Sequence, residues 1–175
     1  MSYLRLLLFL LLSSCQSEKT ELTPAEMWKN YTTSHSEFAT DEMPEAEVFH
    51  DNKEDADRLA ALIVAGEKKA GSSPYRLYEL YQADLPKVGK KLIVTNFDGK
   101  AQAITEVIKV DTLSFKNISA AYAALDMGTT SEPLKKWKKA HWDFFASALE
   151  ESGEKPSEDM LVVCEWFETI WPESD

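Results

Sequence analysis

Apolar residues recur along this chain in two rhythms, helical spacing and short runs or alternation, and these mark out a series of helices and strands. Ala56, Leu59, Ala60, Leu62 and Ile63 lie three and four residues apart, which predicts a helix over Lys53–Ala65 with Gly66 as its stop. Thr23-Pro24-Ala25-Glu26 reads as a capping box with proline in the first turn, opening a helix with Met27, Trp28 and Tyr31 on its apolar face. Asn117 to Leu125 is a short helix. A longer one begins at Ser131, carries Pro133 in its first turn, and keeps Leu134, Trp137, His141, Phe144, Phe145 and Ala148 on one face until Gly153.

The β pattern lies between and after these helices. Lys91 to Asn96, the turn Asp98-Gly99 and Ala101 to Val110 form a hairpin rich in β-branched residues. Met160 to Ile170 begins fully apolar and then alternates, a buried strand ending at Pro172. Glu37 to Phe49, acidic and proline-containing, is a loop or an irregular strand. Gly66 to Ser73 is a turn of small residues whose backbone can approach a ligand closely. Strands separated by helices, with few residues for crossovers between the middle strands, predict an α+β fold: a small mixed barrel with helices packed outside. Its expected core includes Leu59, Ile63, Val94, Phe145, Val162 and Cys164.

The amino terminus has a different character. A single Arg5, an unbroken Leu6–Leu12 run and Leu12-Ser13-Ser14-Cys15 match a lipoprotein signal peptide, whose cysteine is lipidated as the leader is removed. The run is far shorter than the roughly 20 residues of a spanning helix. The expected organisation is a leader over 1–14, a polar tether over 15–22 and one folded domain over 23–173, with Cys15 as the lipid attachment site. That places the protein in a bacterial cell envelope, membrane-anchored. An outer-membrane or periplasm-facing position is favoured over the cytoplasm, since Gln16 is not the aspartate that commonly signals inner-membrane retention. Cys164, the only other cysteine, then has no intrachain disulfide partner and is a small core residue.

The chain has 19 Lys+Arg against 30 Asp+Glu, and removal of Arg5 with the leader leaves 18 against 30, a net charge of −12. Such a surface repels phosphate backbones, so any nucleic-acid contact needs a local basic patch. Lys135, Lys136, Lys138 and Lys139 read as a solvated helix face rather than such a stripe. There is no Gly-rich phosphate loop, CxxC pair or HxxxH spacing, and neither a metal nor a cofactor is expected. His50, beside Asp51, reads as a local hydrogen-bond partner at a helix start, and His141 as a satisfied core histidine. Lys68 and Lys69 are either a solvated helix end favoured by the helix dipole or part of a site.

Several spaced motifs bear on that choice. Phe49-His-Asp-Asn, the Ala56 to Lys68 helix and turn, Leu85-Pro-Lys-Val-Gly89, Trp137 to Phe145 and Pro156 to Phe167 together resemble the ASCH domain family, in order, from about Trp28 to Trp171. The resemblance implies a PUA-like mixed β-barrel with flanking helices, a cleft suited to RNA or a modified nucleoside, and a role in RNA metabolism. The family includes small bacterial amidohydrolases that deacetylate N4-acetylcytidine, in which a lysine, a threonine and a glutamate cooperate. In the family's Gly-x-Lys-x-x-Thr pattern the glycine falls on Gly66, the lysine on Lys68 and the threonine on Gly71, which has no hydroxyl. The acidic residue matches Asp126, one methylene shorter.

The resemblance implies Lys68 and Asp126 as catalytic candidates, and the adjacent Ser72 and Ser73 join them as substitutes for the missing hydroxyl if the loop shifts by a residue; the ligand-binding candidates are Lys68, Lys69, Ser72, Ser73, Asp126 and Glu165, the last either lining the cleft or pairing with a lysine. Three functions remain open. The first is a lipid-anchored binding module for RNA, a nucleoside or another small polar ligand, with the nucleophile lost. The second is an active amidohydrolase using Ser72 or Ser73. The third is a structural or interaction protein of the envelope.

Overall fold

One sheet is built from β1 (Ala46–Val48), β2 (Ala70–Pro74), β3 (Lys91–Thr95), β4 (Ala101–Ser114) and β5 (Leu161–Trp171), in a computed structural model that describes residues 21–173. Its spatial order is β1-β3-β4-β5-β2, with β1 parallel to β3 and every other pair antiparallel. Register shifts at Val94/Thr95, Ile104/Thr105 and Val107/Lys109 increase the local twist, and the sheet curls into a half-barrel. This is the α+β, PUA-like architecture expected from the sequence.

The helices are α1 (Pro24–Ser34), α2 (Lys53–Val64), α3 (Tyr75–Tyr81), α4 (Ala120–Met127) and α5 (Pro133–Leu149). Three of them start on side-chain caps. The Thr23 hydroxyl accepts the Glu26 N–H at 3.3 Å while the Glu26 carboxylate accepts the Thr23 N–H at 2.8 Å, the capping box read from the sequence. Asn52 accepts the Asp55 N–H at 2.9 Å for α2, and Ser119 accepts the Tyr122 N–H at 3.1 Å for α4.

Each helix face buries against a different part of the sheet. α4 and α5 bring Tyr122, Ala123, Trp137 and Phe145 onto Ala70, Phe115, Val162 and Cys164. α1 lays Met27, Trp28 and Tyr31 on Ile93, Ala101 and Ile104. On the other side of β5, α2 places Ala60 and Ile63 against Val94, Ala103 and Phe167.

Several boundaries differ from the sequence pattern. Gly66–Ser73, expected as a turn, is a turn only to Lys69; Ala70–Pro74 is an edge strand, because β5 supplies hydrogen-bond partners that outweigh the weak strand propensity of Ala-Gly-Ser-Ser. β4 runs four residues beyond Val110 for the same reason, paired with β5 as far as Ser114. The short helix begins at Ala120 rather than Asn117, after a 3-10 turn over Phe115–Asn117. α3 has no counterpart in the sequence reading. Ile63, Val94, Phe145, Val162 and Cys164 are fully buried, but Leu59 is only half-buried, since the row that meets the sheet is Ala56, Ala60 and Ile63. The expected leader over 1–14, Cys15 and most of the tether lie outside the described residues.

Candidate ligand-binding cleft

Two helix ends converge to place the polar centre. At the end of α2, Gly66 adopts a φ of 67° and lets the chain turn back, with Glu67 and Lys68 donating their N–H groups to Leu62 O at 2.9 and 3.1 Å. At the end of α4, Gly128 has a φ of 60°, and a Cβ there would stand 3.1 Å from the Leu62 side chain. The two ends can therefore approach closely only with glycine at 128. Lys68 and Asp126, 58 residues apart, meet as a result.

The Lys68 ammonium donates to Asp126 Oδ1 at 2.5 Å, to the Asp126 carbonyl at 2.6 Å and to the Ala70 carbonyl at 2.7 Å, so its three protons are all engaged. The other carboxylate oxygen, Oδ2, accepts from Ser72 Oγ at 2.6 Å and from the Trp137 indole N–H at 2.7 Å, and His141 Nε2 stands 3.2 Å away. The ion pair is deeply buried, with side-chain exposures of 6% for Lys68 and 1% for Asp126. Burial pushes the Asp126 carboxyl up, but the Lys68 charge and the hydrogen bonds from His141 and Lys68 outweigh it and hold the group well below the usual carboxylate range.

This pair forms the floor of a cleft of about 400 Å³. Its wall carries Gly71 and Ser72 from β2, Phe49, His50, Asp55 and Arg58 from the approach to α2 and its first turns, and His141 and Phe144 from α5. Phe144 is an exposed aromatic there, and Phe49 is half-buried. Apolar rings around a few fixed polar groups suit a small planar ligand.

Strand alternation separates the two candidate serines. Ser72 faces α4, bonded to Asp126 and 2.9 Å from the Tyr122 hydroxyl. Ser73 faces the other way and pairs with Tyr78 at 3.0 Å. Gly71 sits in the cleft wall in ordinary strand conformation, and a Cβ there would meet only the Phe167 ring, at 4.0 Å. Glu165 pairs in register with Gly71 but points toward Glu47, Lys90 and Tyr78; burial and the Glu47 charge push its carboxyl up, and Lys90 opposes them. Lys69 is exposed and contributes only its backbone, bonded to Leu125 and Phe167. The structure thus brings Lys68, Ser72 and Asp126 together and leaves Ser73, Lys69 and Glu165 outside the cleft lining.

One residue of the cleft wall and one buried behind it do more than the sequence pattern indicates. His141, expected as a core histidine, is stacked on Trp137 but turns its Nε2 to Asp126, because α4 presents a carboxylate to that edge of the α5 face. Trp137, expected as packing, also holds the carboxylate through its indole N–H. An indole four residues from a histidine on one helix face was the available signal. Cys164 is buried, and desolvation pushes its thiol up to about 12, so it is an unreactive core residue. Lys135, Lys138 and Lys139 pair with Glu132, Glu158 and Asp143 on the solvent side of α5. Among the described residues no three His, Cys, Asp or Glu side chains are grouped to hold a metal ion, and no helix is long and apolar enough to cross a membrane.

A curled mixed half-barrel flanked by helices, with a polar-floored cleft between them, is the architecture of a small PUA-like domain. The ASCH domain family model matches residues 45–171, and the chain belongs to that family. The crystal structure of an ASCH domain from Lactobacillus crispatus JV V101 is 31% identical, with a TM-score of 0.77 over 83% of this chain and 92% of that one. A protein from Enterococcus faecalis V583 is 30% identical, with a TM-score of 0.74 over 82% of this chain and 85% of that one. No curated protein matches the chain.

Proposed function

We propose that this ASCH domain is a binding module for a nucleoside, an exposed RNA base or a similarly small, planar and polar ligand, held in the cleft above Lys68 and Asp126. The observation that carries the reading is Gly71. The resemblance puts the family's hydroxyl-bearing threonine at this position, and the glycine lines the same cleft as a lysine and a carboxylate already engaged in hydrogen bonds. A lysine with all three protons engaged is an anchor rather than a base, and a carboxylate held well below its usual range is a poor proton acceptor. Phe49 and Phe144 supply surfaces on which a base can stack.

Titration of isotopically labelled protein with cytidine and N4-acetylcytidine tests this. Saturable amide shifts confined to Gly71, Ser72, Met127 and the Phe49–Asp55 stretch support the reading, and the absence of any saturable shift at millimolar ligand contradicts it.

One specific contact favours a second reading, an amidohydrolase using Ser72. The Ser72 hydroxyl lies 2.6 Å from Asp126 Oδ2, the geometry of a nucleophile beside its base. In that mechanism Ser72 Oγ attacks the amide carbonyl, its proton passes to Asp126 and on to the amide nitrogen, and the C–N bond breaks so that the amine leaves and an acyl-serine ester remains. Water then releases the acyl group. The low proton affinity of Asp126 opposes it. We also propose that Cys15 carries a lipid and tethers the domain to a bacterial envelope membrane, which supports a ligand other than cytoplasmic RNA.

A further inference from the structure

His50 holds an unusual backbone conformation at the cleft. It follows Phe49 on the way from β1 to α2 and has a φ of 114°. Gln82 and Glu132, the other non-glycine residues with positive φ among the described residues, have values of 51° and 48°, near the left-handed helical well. His50 lies far outside that well, where a side chain with a Cβ is strained. Packing does not require it: Phe49, not His50, joins the cluster of Ala60, Ile63 and Phe167, and the His50 side chain is 38% exposed.

The contacts around the ring leave one nitrogen free. Nδ1 is engaged, with Asn52 Nδ2 2.9 Å away and Asp51 Oδ1 2.8 Å away. The carboxylate oxygen nearest the other nitrogen, Asp55 Oδ2, is 3.9 Å from Nε2, beyond hydrogen-bond reach, and Nε2 has no hydrogen-bond partner among the described residues. A strained residue lining the cleft with an unused ring nitrogen marks a contact kept for a ligand rather than for the fold.

We propose that His50 is a specificity-determining residue of the cleft, its Nε2 sharing a hydrogen bond with a polar atom on the ring edge of the bound ligand. The inference rests on the cleft being a binding site for planar polar molecules, and it assigns which edge of such a molecule meets the α2 side. An analogue with no polar atom at that edge loses the contact.

The test uses His50→Gly, His50→Ala and His50→Gln in the full chain, with melting temperatures measured without ligand and affinities measured by calorimetry for cytidine, N4-acetylcytidine, uracil and nicotinamide. Both Gly and Ala remove the imidazole, but only Gly relaxes the backbone, so His50→Gly is expected to melt about 3 °C or more above His50→Ala. Both should weaken the best-bound probe about tenfold, the loss expected of one unmade hydrogen bond in a closed site. Gln, whose amide offers both a donor and an acceptor at similar reach, should recover part of it. Equal melting of the Gly and Ala variants, or unchanged affinity in both, overturns the proposal. Wild-type binding of uracil or nicotinamide but of neither nucleoside, lost in His50→Gly, upholds His50 and contradicts the nucleoside reading. Wild-type binding of none of the four overturns both.

Discussion

Lys68 and Asp126 illustrate what single residues do in this fold. Each would be costly to bury alone, and each is buried only because the other is present with Trp137, Ser72 and His141 filling the remaining carboxylate positions. Asp126→Asn removes the charge but keeps the shape, leaving Lys68 buried beside a neutral amide, and is expected to cost about 3–5 kcal/mol in denaturant unfolding at pH 7. The same residue gives the pH dependence. Its folded carboxyl titrates below its ordinary value of 3.8, so the stability it contributes is fully present above pH of about 4 and is lost as the pH falls further. Unfolding free energies at pH 7 and pH 3 should therefore fall more steeply in the wild type than in Asp126→Asn. Parallel declines would show that the pair carries no such contribution. The sequence singled out both residues only through the family resemblance. By residue type alone Lys68 is a helix-end cation, and nothing local predicts that a carboxylate 58 positions away comes to meet it.

Among the elements, those with strong internal patterns were legible and those made by their neighbours were not. α2 and α5 carry their own periodicity, and α1 its own cap, so their starts follow from the sequence within a residue or two, while α5 gives way at Leu149 to a 3-10 turn over Glu150–Ser152 before the expected stop at Gly153. β2 is a strand because β5 lies beside it, and the sequence Ala-Gly-Ser-Ser-Pro signals a turn as strongly as a strand. α3 begins at Pro74 with no side-chain cap and buries none of its residues fully, so neither a start signal nor a clean apolar face announces it. The half-buried Leu59 shows the limit of periodicity: a residue on the edge of an apolar stripe lines the cleft when the sheet ends before it. Phe145, in the middle of the α5 stripe, is fully buried among Phe115, Trp137 and His141. Phe145→Ala should cost about 3–5 kcal/mol. A loss below about 1 kcal/mol would mean that α5 packs less tightly than this arrangement requires.

For the whole molecule, the order of strands and helices and the curl of the sheet agree with the ASCH architecture, and the family match spans 45–171. α1 precedes that span, yet it closes the sheet with Met27, Trp28 and Tyr31. The chain's net charge of −11 repels a phosphate backbone at long range, which favours a small ligand or a single extruded base over a duplex. The proposed anchoring rests on the amino terminus alone. Replacing Cys15 with alanine is expected to move the protein from the membrane fraction to a soluble or unprocessed form, and an unmodified Cys15 in membrane-bound wild type, seen by mass spectrometry, would contradict it.

The proposed function rests on a cleft in which the family resemblance puts Gly71 at the place of the threonine nucleophile. Because Gly71 has ordinary strand geometry and room for a Cβ, Gly71→Thr can restore the hydroxyl without straining the backbone. The decisive measurement is cytidine release from N4-acetylcytidine by the wild type, Gly71→Thr and Ser72→Ala under identical conditions. The expected result is binding without release in the wild type and in Ser72→Ala, with a trace of release in Gly71→Thr. Sustained wild-type release that disappears in a folded Ser72→Ala protein would contradict the binding-module account and establish Ser72 as the nucleophile.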